Sequence, residues 1–267
     1  MSPRSARPLL GLRVVVTRAS HQAESTVRAF EEAGARVERL PLIEVVPPDD
    51  PAPLDAALAH LEDFDWVLFT STNTVEHVLA RLEHPFPGGL RTAAVGSSTG
   101  AALREHDIEP ALEATESHAE GLADLLGPCL TGGERVLLPQ AADARPALEE
   151  LLLRAGARVT RVHAYAKRVP PESGERAREI FGDPVAAGTL GWVTFTSPSI
   201  AKNFAGLWGG PDSPAWAACR SGLLAVSIGP VTSAALLKLG VEPAAEAAKP
   251  GDREMVEAVA RVVASGA

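Results

Sequence analysis

The sequence predicts an α/β protein of two doubly wound, parallel-sheet domains, and three observations carry that prediction. First, 267 residues at roughly 150 per domain give about two domains. Second, the chain repeats itself. Arg13-Val-Val-Val-Thr-Arg18 with Ala33-Gly-Ala-Arg-Val37 is matched, at a single offset of 122 residues, by Arg135-Val-Leu-Leu-Pro-Gln140 with Ala155-Gly-Ala-Arg-Val159. Third, apolar runs of strand length alternate with stretches of about 3.6-residue period rich in Ala, Leu and Glu. That alternation requires βαβ crossovers, hence a mostly parallel sheet covered on both faces.

In chain order, strands are expected near 12–17, 36–45, 66–70, 92–96, 135–139, 158–166, 192–196 and 224–228. A helical pattern follows the first strand through Phe30, and Gly34 stops it, as Gly156 stops its counterpart in the second half. Trp66-Val-Leu-Phe-Thr-Ser71 and Trp192-Val-Thr-Phe-Thr-Ser197 are a second matched pair, and Ala94-Val-Gly96 matches Ser227-Ile-Gly229. The arrangement is flavodoxin-like in each domain. Pro-rich stretches at Pro47 to Pro53 and at Pro170-Pro171 read as linkers. If the chain crosses between domains at both, residues 41–171 fold as one domain and residues 1–40 plus 172–267 as the other, with linkers near 41–50 and 162–172. Two consecutive halves are the simpler alternative, and the repeat alone does not choose.

Lys+Arg 25 against Asp+Glu 34 gives a formal charge of −9, which argues against nucleic acid or an anionic membrane as partner. Hydrophobic residues at 46% with charged residues at 22% are ordinary globular usage. Cys129 and Cys219 are the only cysteines and show no CxxC spacing, which excludes a disulfide scaffold and a thiolate metal cluster and implies a reducing compartment. Met1 to Leu10 lacks the apolar core of a signal peptide, and no uncharged apolar run reaches about 18 residues, so a cytoplasmic protein is expected. Arg far outnumbers Lys, and Asn occurs only at positions 73 and 203, a bias that suits a GC-rich, heat-adapted source.

The chemistry concentrates in strand-to-helix turns. Phe69-Thr-Ser-Thr-Asn-Thr-Val75 and Phe195-Thr-Ser-Pro-Ser-Ile200 place hydroxyls at the ends of strands and the starts of helices, where free N–H groups and the helix dipole favour an anion. Val95-Gly-Ser-Ser-Thr-Gly100 and Ile228-Gly-Pro-Val-Thr-Ser233 repeat the idea one unit later. In open α/β sheets this is the ligand-binding edge. Four such turns suit a ligand with many carboxylates or phosphates; the competing reading is that these Ser and Thr are ordinary helix caps. No Walker A or dinucleotide-binding glycine pattern is present, so a nucleotide cofactor is not indicated.

His21, His60, His77, His84, His106, His118 and His163 form no HExxH motif and do not cluster, so no metal site is expected. No GxSxG occurs, and Cys129 reads as a packing residue. Tyr165 is the only tyrosine, at the end of a strand beside the second linker. Its phenol can donate a proton without bearing charge at neutral pH; the alternative is a packed strand tyrosine with a wet hydroxyl.

Together these motifs resemble the uroporphyrinogen-III synthase family. The resemblance spans nearly the whole chain, adding Ala119-Glu-Gly-Leu122 and Val162-His-Ala-Tyr165 to the turns above. It implies two α/β domains joined by a two-stranded linker, the middle of the chain forming one domain and both ends the other. It also implies a reaction without cofactor: hydroxymethylbilane loses water and closes to a macrocycle with inversion of its last pyrrole ring, held in a cleft between domains. Tyr165 matches the family's tyrosine proposed as general acid. Arg18, Thr70, Ser71, Thr72, Asn73, Gly96, Ser97, Ser98, Thr196, Ser197, Ser199, Lys202, Gly229 and Thr232 fall on the implied substrate-binding turns. Pro139-Gln140 departs from the pattern of Thr17-Arg18 and weakens Gln140 as a contact. A monomer is expected, in transient contact at most with the synthase that makes the bilane. The alternative is a two-domain binding protein that closes on a small polyanion. Residues 41–171 hold 10 Lys+Arg against 20 Asp+Glu, so the acidity belongs to the middle segment and leaves room for a polycarboxylate at local helix starts.

Overall fold

The computed structural model describes residues 7–114, 119–182 and 190–266; His118 and residues 1–6 of the N-terminal stretch lie outside them. Along the chain run β1 (Arg13–Val16), α1 (Ala23–Glu32), β2 (Arg36–Arg39), β3 (Glu44–Val46), α2 (Ala52–Leu58), β4 (Trp66–Phe69), α3 (Thr72–Leu79), β5 (Arg91–Val95), α4 (Ser97–Arg104), β6 (Leu112–Ala114) and α5 (Ala119–Leu126). There follow β7 (Arg135–Ala141), α6 (Ala147–Arg154), β8 (Arg158–Arg168), α7 (Ser173–Phe181), β9 (Gly191–Phe195), α8 (Pro198–Leu207), α9 (Pro214–Ser221), β10 (Leu223–Ser227), α10 (Pro230–Lys238), β11 (Ala245–Glu246) and α11 (Asp252–Ser265). None of the described helices is long and apolar enough to cross a membrane.

The chain forms two compact units, one running to Glu44 and resuming at Arg168, the other spanning Val45–Lys167. In the first, strands pair in parallel in the order β11-β10-β9-β1-β2. In the second the order is β3-β8-β7-β4-β5-β6, parallel from β8 to β6. Side chains alternate across each sheet as the strand period of two demands. Val15, Val193 and Phe195 join Phe204, Trp208 and Trp216 on one face of the first sheet, while Val14, Val16 and Trp192 join Phe30, Met255 and Val259 on the other. In the second unit Val67 and Phe69 pack on Leu54, Val75, Val78 and Leu103, and Trp66 and Leu68 pack on Leu122, Leu126, Leu148 and Leu152.

The repeated Ala-Gly-Ala-Arg-Val segments do the same work twice. Gly34 has φ +96° and Gly156 φ +90°, and the following amides, Ala35 and Ala157, reach back to Phe30 and Leu152 at 3.0 and 3.1 Å. This left-handed close of the helix turns the chain into the next strand.

The run 36–45, expected as one strand, is two strands in different sheets. Pro41 has no N–H to continue a ladder. The carbonyls of Pro41 and Leu42 accept instead from Ser173 Oγ and Asn203 Nδ2, both at 2.8 Å, and β3 then joins β8. Pro51 to Pro53, read as linker, opens α2, because proline is tolerated in a first turn. Strands β6 and β11 were not expected; at three and two residues they carry too little periodicity to read.

Candidate active site

In each sheet the strand order reverses once, between β4 and β7 in the second unit and between β1 and β9 in the first. Ligands of open α/β sheets bind at such a switch point, beyond the carboxyl ends of the strands. Parallel pairing brings the turns that follow neighbouring strands to one edge. The turns after β4 and β5 share an edge with the end of β8, and those after β1, β9 and β10 share the edge of the other sheet.

In the second unit, Ser71 is an extended N-cap (φ −164°, ψ 161°) whose Oγ accepts from Thr74 N at 3.2 Å. Thr72 and Asn73 are half-buried, and their amides have no acceptor among the described residues. Gly96 caps α4 at φ +80°, ψ 156°, a conformation that glycine alone adopts readily, and presents the amides of exposed Ser97 and Ser98. Tyr165 enters through the bulge that pairs it with Ala141 and is 4% exposed. Its Oη lies 3.2 Å from Ser71 Oγ, its ring stacks on His77 at 5.5 Å and 26°, and Lys167 Nζ lies 5.7 Å from the ring centroid. Lys167 in turn faces Asp143 at 3.6 Å. Burial pushes the half-buried His77 imidazole below its ordinary pKa, so the ring stacks on Tyr165 uncharged at neutral pH.

The first unit repeats the frame with different chemistry. Ser197 is an extended N-cap accepting from Ile200 N at 3.3 Å, the counterpart of Ser71. Pro198 and Pro230 open α8 and α10, removing one amide from each start; those of exposed Ser199 and Val231 remain. Thr196 is half-buried, Gly229 and Thr232 are buried, and Lys202 is exposed with no ion pair among the described residues. Arg18 is held by Asp252, Nη1 to Oδ1 at 3.3 Å, and Asp252 also accepts from Ser25 and Thr26 at 2.6 Å each.

The capping alternative thus holds for the hydroxyls of Ser71 and Ser197, while the amides beside them stay open. Gln140 is buried at the end of β7 with its Oε1 unpartnered. Sequence reasoning missed Thr74, His77 and Lys167 around Tyr165, and Asp252 behind Arg18. Lys167 was within reach of it, since residues i and i+2 share a strand face; the others meet their partners only through the fold. A surface cavity lined by Asp55, Leu58, Arg81 and His84 lies at the far end of α3 from Ser71 and is spanned by the bidentate Arg81–Asp55 pair at 2.7 and 2.6 Å.

Fold and site define a class: a duplicated, doubly wound α/β protein whose open helix starts accompany a single buried phenol at the strand ends. Residues 24–257 match the family model described as uroporphyrinogen-III synthase HemD. A uroporphyrinogen-III synthase of Synechococcus elongatus is 32% identical over 234 residues, covering 85% of this chain and 86% of that one. One of Chlorobaculum parvum is 30% identical over 243 residues, covering 86% and 90%. The chain belongs to the uroporphyrinogen-III synthase family. In fold it is similar to a mutant Thermus thermophilus uroporphyrinogen III synthase, with TM-score 0.64 at 20% identity over 96% of this chain and 100% of that one. The Helicobacter pylori enzyme gives 0.62 at 18% identity, over 94% and 99%.

Proposed function

We propose that this chain converts hydroxymethylbilane to uroporphyrinogen III, eliminating water and inverting the last pyrrole ring, with Tyr165 as general acid. The observation that carries the reading is the Tyr165 phenol, fixed against Ser71 at the switch-point edge of its sheet, in a chain of this family. Departure of the hydroxymethyl oxygen needs one proton, because the electron-rich pyrrole itself expels the leaving group to give an azafulvene. The remaining task is conformational: the substrate must be folded so that attack falls on the substituted carbon of the last ring.

The helix-start amides open to a carboxylate are those of Thr72, Asn73, Ser97 and Ser98 in one unit, and of Ser199 and Val231 in the other. Lys202 adds positive charge one turn into α8, whose start Pro198 has deprived of an amide, and Arg18 offers guanidinium donors with its charge already matched by Asp252. The hydroxyls of Thr70, Thr196 and Thr232 complete the set, with Gly229 shaping its turn. In this reading the acting species is a cytoplasmic monomer, and gel filtration of active protein tests its size.

Incubation with enzymatically generated hydroxymethylbilane, followed by separation of the I and III isomers, tests the activity. Isomer III is expected; isomer I alone, the spontaneous product, would refute it. Tyr165→Phe is expected to slow turnover by about tenfold to hundredfold, the low end of general-acid contributions. Undiminished turnover in that variant removes the phenol from the mechanism.

A further inference from the structure

The hydroxyl of Ser71 has three polar neighbours: Thr74 N at 3.2 Å, Thr74 Oγ1 at 3.0 Å and Tyr165 Oη at 3.2 Å. A hydroxyl offers one proton and two lone pairs. The Thr74 amide can only donate, so it takes one lone pair, leaving one proton and one lone pair for the two hydroxyl neighbours. Two arrangements remain. Either Tyr165 donates to Ser71 and Ser71 to Thr74, or Thr74 donates to Ser71 and Ser71 to Tyr165.

Burial decides between them. Thr74 is fully buried, and Ser71 is the one partner of its hydroxyl among the described residues. If Thr74 accepted from Ser71, its own proton would be left unpaired with no exposed surface at all; if it donates to Ser71, the unpaired proton is on Tyr165, which keeps 4% of its surface at the strand-end edge. The proton then left without a protein acceptor is that of Tyr165.

We infer that Thr74 and Ser71 are positioning residues for the proton donor, an ordered relay whose hydrogen bonds run Thr74 to Ser71 to Tyr165. The inference rests on the reading of Tyr165 as general acid. The Tyr165 O–H bond breaks as its proton joins the departing hydroxyl to form water. The substrate C–O bond breaks as pyrrole ring electrons form the exocyclic double bond. The phenolate oxygen is stabilised by Ser71 O–H, backed by Thr74 O–H, and recovers its proton when the new macrocycle regains its aromatic rings. His77 and Lys167 hold the phenol ring in place meanwhile. The Ser71 hydroxyl is fully engaged, which leaves carboxylate binding in this turn to the Thr72 and Asn73 amides.

Tyr165 is the only tyrosine, so the tyrosine Fermi doublet in the Raman spectrum reports on this phenol alone. Its intensity ratio distinguishes a phenol that accepts from one that donates. The ratio of an accepting phenol is expected in the full-length protein, and a donating or free phenol in Thr74→Val and Ser71→Ala. Ser71→Asp keeps the cap acceptor but has no proton to give, so it separates capping from relay. It is expected to fold, to switch the doublet to the donating form, and to lower kcat as far as Tyr165→Phe, with KM raised as well by the carboxylate placed beside the Thr72 and Asn73 amides. Thr74→Val is expected to lower kcat by about tenfold and Thr74→Ser to restore it. A donating phenol in the unmodified protein, or Ser71→Asp turning over at the unmodified rate, overturns the relay. Full activity in Tyr165→Phe overturns the acid reading instead, while the doublet of the unmodified protein still reads the hydrogen-bond direction.

Discussion

Cys219 sits on α9 inside the first unit's core, and burial pushes its thiol up to about 12. A thiol held protonated and unexposed is a poor nucleophile. Cys129 is half-buried in the short turn after α5. A thiol reagent should therefore modify Cys129 alone in the native protein, and Cys219 only after unfolding, as counted by mass spectrometry. His77 is a second residue whose burial has a measurable consequence. Its folded pKa lies below the unfolded value of 6.5, chiefly through desolvation, with Arg81 adding to the effect and Glu76 opposing it. Its contribution to stability is therefore fully present above pH 6.5 and lost as the pH falls through the lowered folded value. His77→Phe keeps a ring on Tyr165 and removes the titration. The drop in denaturation midpoint between about pH 7 and about pH 5 should shrink in that variant. Tyr165 could be singled out from the sequence as the lone tyrosine at a strand end. Thr74 and His77 could not, because their relevance depends on α3 packing along the face of the sheet that Tyr165 occupies.

At the scale of elements, the helix starts carry both the stabilising caps and the amides proposed to bind substrate. Ser197→Ala should cost about 1 kcal/mol in denaturant unfolding through loss of the cap to Ile200. Gly96→Ala should cost about 1–3 kcal/mol, because the added Cβ is strained at φ +80° wherever space allows it. The turn into β7 carries an electrostatic counterpart. Glu134 accepts from the Thr131 hydroxyl (2.5 Å), the Thr131 amide (2.7 Å) and the Gly132 amide (2.9 Å), and these bonds hold its carboxyl at about 2, down from 4.5. Its contribution is complete above pH 4.5 and fades as the pH falls toward about 2. Glu134→Gln should lower the denaturation midpoint at neutral pH and make little difference near the acid end of that window. The long strands were readable because their apolar runs match the strand period. The splitting of 36–45 was not, because Leu40 and Leu42 look equally apolar whichever sheet receives the chain.

At the scale of the molecule, the second unit is continuous in sequence while the first is assembled from both ends of the chain. The excised segment from Glu44 to Arg168 contains all six strands of its sheet and both of its cores, and should fold alone with cooperative thermal unfolding by circular dichroism. Arg168 onward alone should not, because β1 and β2 are both missing and the apolar edge of β9 that β1 covers is left open. The sequence by itself determined the duplication, the α/β class, the strand-to-helix turns and the singular tyrosine. These are local or repeated patterns, and the periods of strand and helix are written directly into residue order. Only the tertiary structure decided which hydroxyls cap and which amides stay open, that Arg18 is tied to Asp252, and that Tyr165 meets Ser71. Those facts join residues 94 and 234 positions apart, and contacts at such separation are set by how sheets and helices pack, which no local period records.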